Sequence, residues 1–100
     1  MRKIILLCAM GMSTQKIVNQ LIQTAQSEGV EIEVESFPYG EASKTAVDAD
    51  MILLSPQIRY NQDKIKRSFP SIPVEAIDIV AYGMMDTQKI LGQIKAVLGL

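Results

Sequence analysis

The sequence predicts a small α/β domain, an open sheet of four parallel strands in the order 2-1-3-4 with helices on both faces. Three observations carry that expectation. Two continuous apolar runs, Ile4-Ile5-Leu6-Leu7 and Met51-Ile52-Leu53-Leu54, read as strands covered on both sides, as parallel strands are. Segments with a helical repeat separate the strands, and a parallel pair needs such a crossover. Right-handed crossovers then place helices on both faces. A chain of 100 residues accommodates one such domain, residues 1–100, and no second core.

Each element follows in order. The first strand is the run Ile4-Ile5-Leu6-Leu7. From Ser13 the period changes: Ile17, Val18, Leu21, Ile22 and Ala25 share one helical face, Ser13 or Thr14 caps its start, and Gly29 ends it. Val30, Ile32 and Val34 then alternate with Glu31, Glu33 and Glu35. That is a strand with one wet face, and its three like charges suit a sheet edge. Pro38-Tyr39-Gly40 reads as a turn, with a short helix over about 41–47. Met51-Ile52-Leu53-Leu54, closed by Ser55-Pro56, is the third strand. A helix over 57–69 turns Ile58, Ile65 and Phe69 inward. Pro70 and Pro73 bracket a loop before a short strand at 74–77. Tyr82-Gly83-Met84-Met85 reads as loop. Asp86 or Thr87 then caps a last helix that aligns Ile90, Leu91, Ile94, Val97 and Leu98. The edge-like second strand gives the order 2-1-3-4, a reduced flavodoxin-type topology. In such sheets, function collects at the carboxyl ends of the strands, where the order reverses.

Composition removes several function classes. Hydrophobic residues make up 48% and charged residues 21%, an ordinary globular balance that rules out disorder and low complexity. Ten basic against eleven acidic residues give a net charge of −1, so no basic stripe exists for nucleic acid. The chain has no His, which excludes a Ser-His-Asp hydrolase, a His-paired cysteine enzyme and a histidine metal cage within it. A single Cys cannot close an internal disulfide, so a reducing compartment, the cytosol, is expected. Arg2-Lys3 and the apolar residues after them resemble a short signal peptide. Gly11 interrupts that stretch, and no clear cleavage site follows. Nor does any apolar run approach the roughly 20 residues of a membrane span. The chain reads as soluble and unprocessed.

The one piece of chemistry lies where the topology points. Cys8 ends the first strand, and Ala9, Met10, Gly11, Met12, Ser13 and Thr14 lead into the helix. A short Gly-containing loop entering a helix N-terminus turns several backbone N–H groups toward one point, a cradle for an anion. The same field favours an anionic sulfur. A thiolate beside a phosphate cradle implies acceptance of a phosphoryl group as phosphocysteine. A lone Cys in an apolar sequence is otherwise an inert core residue, and its position at the strand end is what weighs against that reading. The chain holds neither a G-x-x-x-x-G-K-[ST] nor a G-x-G-x-x-G phosphate loop.

Cys8-Ala9-Met10-Gly11-Met12-Ser13-Thr14 after a strand resembles the active-site loop of the enzyme IIB subunits of the bacterial phosphoenolpyruvate-dependent sugar phosphotransferase system, lactose/cellobiose (diacetylchitobiose) type. Two further stretches are similar to that family: Leu54-Ser55-Pro56-Gln57-Ile58-Arg59-Tyr60 and Ala81-Tyr82-Gly83-Met84-Met85-Asp86. The resemblance covers the whole chain, although family members more often carry Ala where Ser55 stands. It implies a relay in which a phosphohistidine on an enzyme IIA partner donates to Cys8. Cys8 then passes the group to a sugar, a β-linked disaccharide such as cellobiose, lactose or diacetylchitobiose, entering through the membrane enzyme IIC. The resemblance places the protein in the cytoplasm, peripherally associated with the transporter, and calls for no cofactor and no metal ion. It also implies that the backbone from Ala9 through Met10, Gly11, Met12 and Ser13 to Thr14 holds the phosphate, with Gln57 and Tyr82 lining the site. In-line transfer between two proteins calls for an open surface around Cys8.

Two readings from other classes stay open at the level of sequence. A low-molecular-weight cysteine phosphatase has a similar fold, with a loop of Cys, five residues, then Arg. Thr14 stands at that Arg position, which removes the bidentate clamp on the transition state, while Asp78 or Asp86 remains available as a general acid. A redox-sensing, anion-binding module would instead show reversible oxidation of Cys8 and no phosphorylated species. Met10 and Met12 beside the loop suit a surface that docks unlike partners. Lys64, Lys66 and Arg67 read as a solvated face.

Overall fold

In the computed structural model, residues 1–9 and 14–100 are described. Strands β1 (Arg2–Cys8), β2 (Ile32–Pro38), β3 (Met51–Leu54) and β4 (Val74–Ala76) form a parallel sheet in the order β2-β1-β3-β4. This is the order that the sequence predicts. The helices are α1 (Gln15–Ser27), α2 (Ala42–Thr45), α3 (Gln62–Ser68), α4 (Ile79–Gly83) and α5 (Thr87–Leu98).

The two uninterrupted apolar runs occupy the centre. Ile4, Ile5, Leu7, Met51, Ile52, Leu53 and Leu54 are fully buried, because both faces of β1 and β3 are covered. Their side chains divide by parity. Ile4, Leu6, Met51 and Leu53 pack with Val18 and Leu21 of α1 and with Ile90, Leu91 and Ile94 of α5. Ile5, Leu7, Ile52 and Leu54 pack with Ala42 and Ile65 on the opposite face. β2 is an edge, as its glutamates indicate: Ile32 and Val34 are buried while Glu33 and Glu35 are exposed.

Four details depart from the sequence expectation. β2 begins at Ile32 rather than Val30, because the Val30 N–H is drawn back to the Ala25 carbonyl at 2.9 Å, and Gly29 turns the chain at φ +71°. The helix expected over 57–69 is two pieces, a 3₁₀ segment at Pro56–Asn61 followed by α3, with Ile58 at φ −115° between helical residues. Tyr82 and Gly83 belong to the short α4 rather than to a loop. Finally, Val97 is partly exposed, at 38%, rather than core.

Candidate active site

β1 ends on Cys8, and α1 starts at Gln15 behind its N-cap residue Thr14. Cys8 has the parity of Ile4 and Leu6, so it continues the α1/α5 face of the sheet. Among the described residues its sulfur has two partners. The Thr14 hydroxyl donates to Sγ at 3.5 Å, and the thiol in turn donates to the Phe37 carbonyl at 3.6 Å. A threonine at an N-cap ordinarily turns its oxygen toward a backbone N–H of the helix. Thr14 makes no such bond; its hydroxyl is directed at the sulfur.

The two contacts pull in opposite directions. The thiol can donate to the Phe37 carbonyl only while it keeps its proton, whereas the Thr14 donor strengthens its bond when the sulfur becomes an anion. Cys8 is 2% exposed and Thr14 is completely buried. The open surface anticipated around the sulfur is therefore not found: Sγ lies within the molecule, held on the sheet by its two hydrogen bonds. Of the residues assigned to the phosphate cradle, Ala9 is exposed next to Cys8 and Thr14 contacts Sγ. Met10, Gly11, Met12 and Ser13 lie outside the described residues.

Gln57 and Tyr82, the two residues expected to line the site, come together. With Lys16, Ile17 and Met85 they line a groove of about 210 Å³ beside the start of α1. A second groove, of about 540 Å³, also includes both, with Pro56, Arg59, Tyr60, Ile79 and Gly83. Tyr60, Ile79, Val80 and Met84 are largely exposed, so this end of the molecule presents apolar surface. Between α4 and α5 Met85 adopts φ +52°, a conformation uncommon outside glycine.

Neither aspartate considered as a general acid is unengaged. The Asp78 carboxylate accepts from the Ala81 N–H at 2.9 Å and lies 3.7 Å from Lys89 Nζ. Asp86 accepts from the Lys89 N–H at 3.2 Å. Each caps a helix, α4 and α5 respectively.

Two residues of this region escaped the sequence reading. Lys16 stands in the first turn of α1, where no acidic side chain occurs. A cation there opposes the helix dipole, and that mismatch was the available signal. Ser55 follows β3, and its N–H donates to the Leu7 carbonyl at 2.9 Å, extending the β1–β3 ladder past Leu54. Its only signal was that the resembled family more often has Ala in its place.

Comparison with known proteins is consistent across sequence and fold. Residues 3–93 match the family described as PTS system, Lactose/Cellobiose specific IIB subunit. The chain is 36% identical over 91 residues to the PTS system oligo-beta-mannoside-specific EIIB component of Bacillus subtilis (strain 168), covering 89% of this chain and 88% of the relative. It is 28% identical over 95 residues to the PTS system cellobiose-specific EIIB component of Lactococcus lactis subsp. lactis (strain IL1403), covering 88% of each. Among solved structures, the cellobiose-specific phosphotransferase IIB component of Borrelia burgdorferi superposes with a TM-score of 0.72 at 31% identity, covering 91% of this chain and 85% of that one. The lactose-specific IIB component domain of Streptococcus pneumoniae shares the fold, with a TM-score of 0.76 at 24% identity over 87% of this chain and 85% of that one.

Proposed function

Because the chain belongs to the lactose/cellobiose-specific IIB subunit family of the PTS, the sugar phosphotransferase system, we propose that Cys8 is the residue on which it carries phosphate. Membership makes the protein a phosphotransferase component and implies EIIA and EIIC partners. One observation above all supports Cys8. The only cysteine of the chain ends β1 at the reversal point of the sheet, with the Thr14 hydroxyl at the helix start donating to its sulfur.

In the proposed relay the Cys8 thiol first loses its proton. The thiolate attacks phosphorus on the phosphohistidine of EIIA; the S–P bond forms as the P–N bond breaks, and the electron pair returns to the imidazole. A sugar hydroxyl at EIIC then attacks the same phosphorus and releases its proton to solvent. The S–P pair returns to Sγ, regenerating the thiolate. Since Cys8 is buried, in-line attack requires the atoms over the sulfur to move apart when a partner docks. Ala9, Met10, Gly11, Met12, Ser13 and Thr14 form the phosphate cradle in this scheme. Gln57, Tyr82 and Lys16 form its rim, and the exposed Tyr60, Ile79 and Met84 lie beside that rim as contact surface for the partners. Two relatives, named for oligo-beta-mannoside and cellobiose, support a β-linked disaccharide as the sugar. Among the described residues no helix is long and apolar enough to cross a membrane, and we place the protein in the cytoplasm, docked on its membrane partner.

Hydrolysis is disfavoured by the same residues. Thr14 replaces the arginine of a cysteine phosphatase loop, and Asp78 and Asp86 serve as helix caps. The test is sugar phosphorylation in a reconstituted system with EIIA and EIIC. Cys8→Ser should retain a normal circular dichroism spectrum, since sulfur to oxygen is a small change in volume. It should lose turnover, since an unassisted hydroxyl stays neutral at cellular pH. Wild-type turnover by that variant would remove Cys8 from the mechanism.

A further inference from the structure

Among the described residues, one buried side-chain polar atom has no hydrogen-bond partner, and it is the hydroxyl oxygen of Ser55. The residue is 1% exposed, so water does not satisfy it. It stands at the N-cap of the 3₁₀ segment Pro56–Asn61 and makes no side-chain cap bond, so the usual use of a serine at such a position is also absent. Burying a hydroxyl without a partner destabilises the fold, and an alanine would avoid that cost. A buried orphan of this kind requires an explanation.

Its place in the sheet supplies one. β1 and β3 pair with Leu6 opposite Leu53 and Leu7 opposite Leu54, and the Ser55 N–H donates to the Leu7 carbonyl. The next pair in register is Cys8 and Ser55. The Ile77 N–H donates to the Leu54 carbonyl, which sets Ile77 opposite Ser55 on the other side, and Ile77 packs in the α1/α5 cluster. Parity therefore turns Ser55 to the α1/α5 face, the face of Cys8. Cross-strand neighbours on one face have Cβ atoms about 5 Å apart, within reach of one side-chain rotation. Among the described residues the protonated sulfur already has two partners, Thr14 and Phe37. A thiolate abandons the second of these and needs a donor in its place.

We propose that the Ser55 hydroxyl is a donor held in reserve for the anionic sulfur, turning about χ1 to donate to Cys8 Sγ once the thiol proton has left. This rests on the reading of Cys8 as the phosphoryl carrier. With Ser55 on one side and Thr14 on the other, the thiolate has two hydroxyl donors, and Ser55 is the one idle in the resting state.

The test is titration of the Cys8 thiolate by its ultraviolet absorbance in the whole protein, comparing the parent with Ser55→Ala. The equal-bulk pair Ser55→Thr and Ser55→Val provides the control for size. Lys16, the charged side chain of the adjoining groove, is kept in every variant. Loss of a hydrogen bond to a charged group should raise the titration midpoint by about one pH unit in the Ala and Val variants. Ser55→Thr should titrate like the parent. Thermal unfolding of Ser55→Ala should occur no lower than in the parent, because the lost hydroxyl had no partner when the sulfur is protonated. A purely structural serine would lower the unfolding temperature and leave the midpoint in place. Unchanged midpoints in both Ala and Val would overturn the proposal. Failure of the parent to accept a phosphoryl group from phosphorylated EIIA would instead overturn the reading of Cys8, and the titration would still decide the role of Ser55.

Discussion

Asp78 separates phosphoryl transfer from hydrolysis, since a phosphatase-like protein would need a carboxylic acid in this part of the fold while a carrier needs only a helix cap. The carboxylate accepts from the Ala81 N–H at 2.9 Å, and its partner Lys89 lies 3.7 Å away on an exposed ion pair. Asp78→Ala removes a cap worth about 1 kcal/mol and a surface pair worth about 0.5 kcal/mol. The sum of about 1.5 kcal/mol lowers the unfolding temperature of a domain this size by about 6 to 12 °C. Asp78→Asn keeps an acceptor for Ala81 and loses only the ion pair, so its unfolding temperature should fall by about 2 to 4 °C. Tyr82, whose N–H donates to the Asp78 carbonyl at 2.9 Å, keeps its place in the Asn variant. The assays are thermal denaturation followed by circular dichroism and, well below either transition, the rate of phosphoryl uptake from phosphorylated EIIA. The account expects wild-type uptake by Asp78→Asn. A folded Asn variant that accepts no phosphate, or an Asp78-dependent hydrolysis of aryl phosphates by the parent, would refute it.

Thr14→Val keeps the volume and removes the hydroxyl that donates to Sγ at 3.5 Å. Loss of a hydrogen bond to an anion should slow phosphoryl uptake about tenfold, Thr14→Ser should restore most of it, and equal rates in all three proteins would contradict the assignment. At the other end of the sheet, the hydrogen bond from Lys3 and the charge of its ammonium hold the Asp48 carboxyl below the usual carboxylate range. A carboxylate depressed on folding contributes stability above its unfolded pKa that is lost as pH falls through the folded one. Lys3→Met should therefore raise the Asp48 titration seen by carbon-detected NMR and remove its share of the acid sensitivity, whereas an unmoved titration would mean that the pair does not persist in solution.

Burial of whole faces was the legible part of the fold. The runs beginning at Ile4 and Met51 announced the two central strands, and the alternation of Ile32 and Val34 with glutamates announced the edge. α4 was not legible. Its Ile79 and Val80 are 56% and 60% exposed while only the small Ala81 is buried, so its two large aliphatic residues face outward, and its single turn depends on the Asp78 cap rather than on a wide buried stripe. The break at Ile58 was also hidden, because Ile58 and Ile65 are both buried and read as one helical face whether or not the backbone between them is regular. At the site, Cys8 and the helix start were visible as a spacing. The register that brings Ser55 beside Cys8 depends on pairing between strands more than forty residues apart in sequence, and an unpartnered hydroxyl can be recognised only once every neighbouring donor and acceptor is placed. Lys16 carried a local signal in its conflict with the helix dipole, but only the fold brings it to Gln57 and Tyr82.

The intact mass of the protein tests the central claim most directly, measured after incubation with phosphoenolpyruvate, the general phosphotransfer proteins and EIIA, and followed by peptide mapping. The account predicts one added phosphoryl group, located on the peptide that contains Cys8, lost again when EIIC and its sugar are supplied and never acquired by Cys8→Ser. A phosphoryl group on any other residue, or one that Cys8→Ser still takes up at the parent's rate, would contradict it.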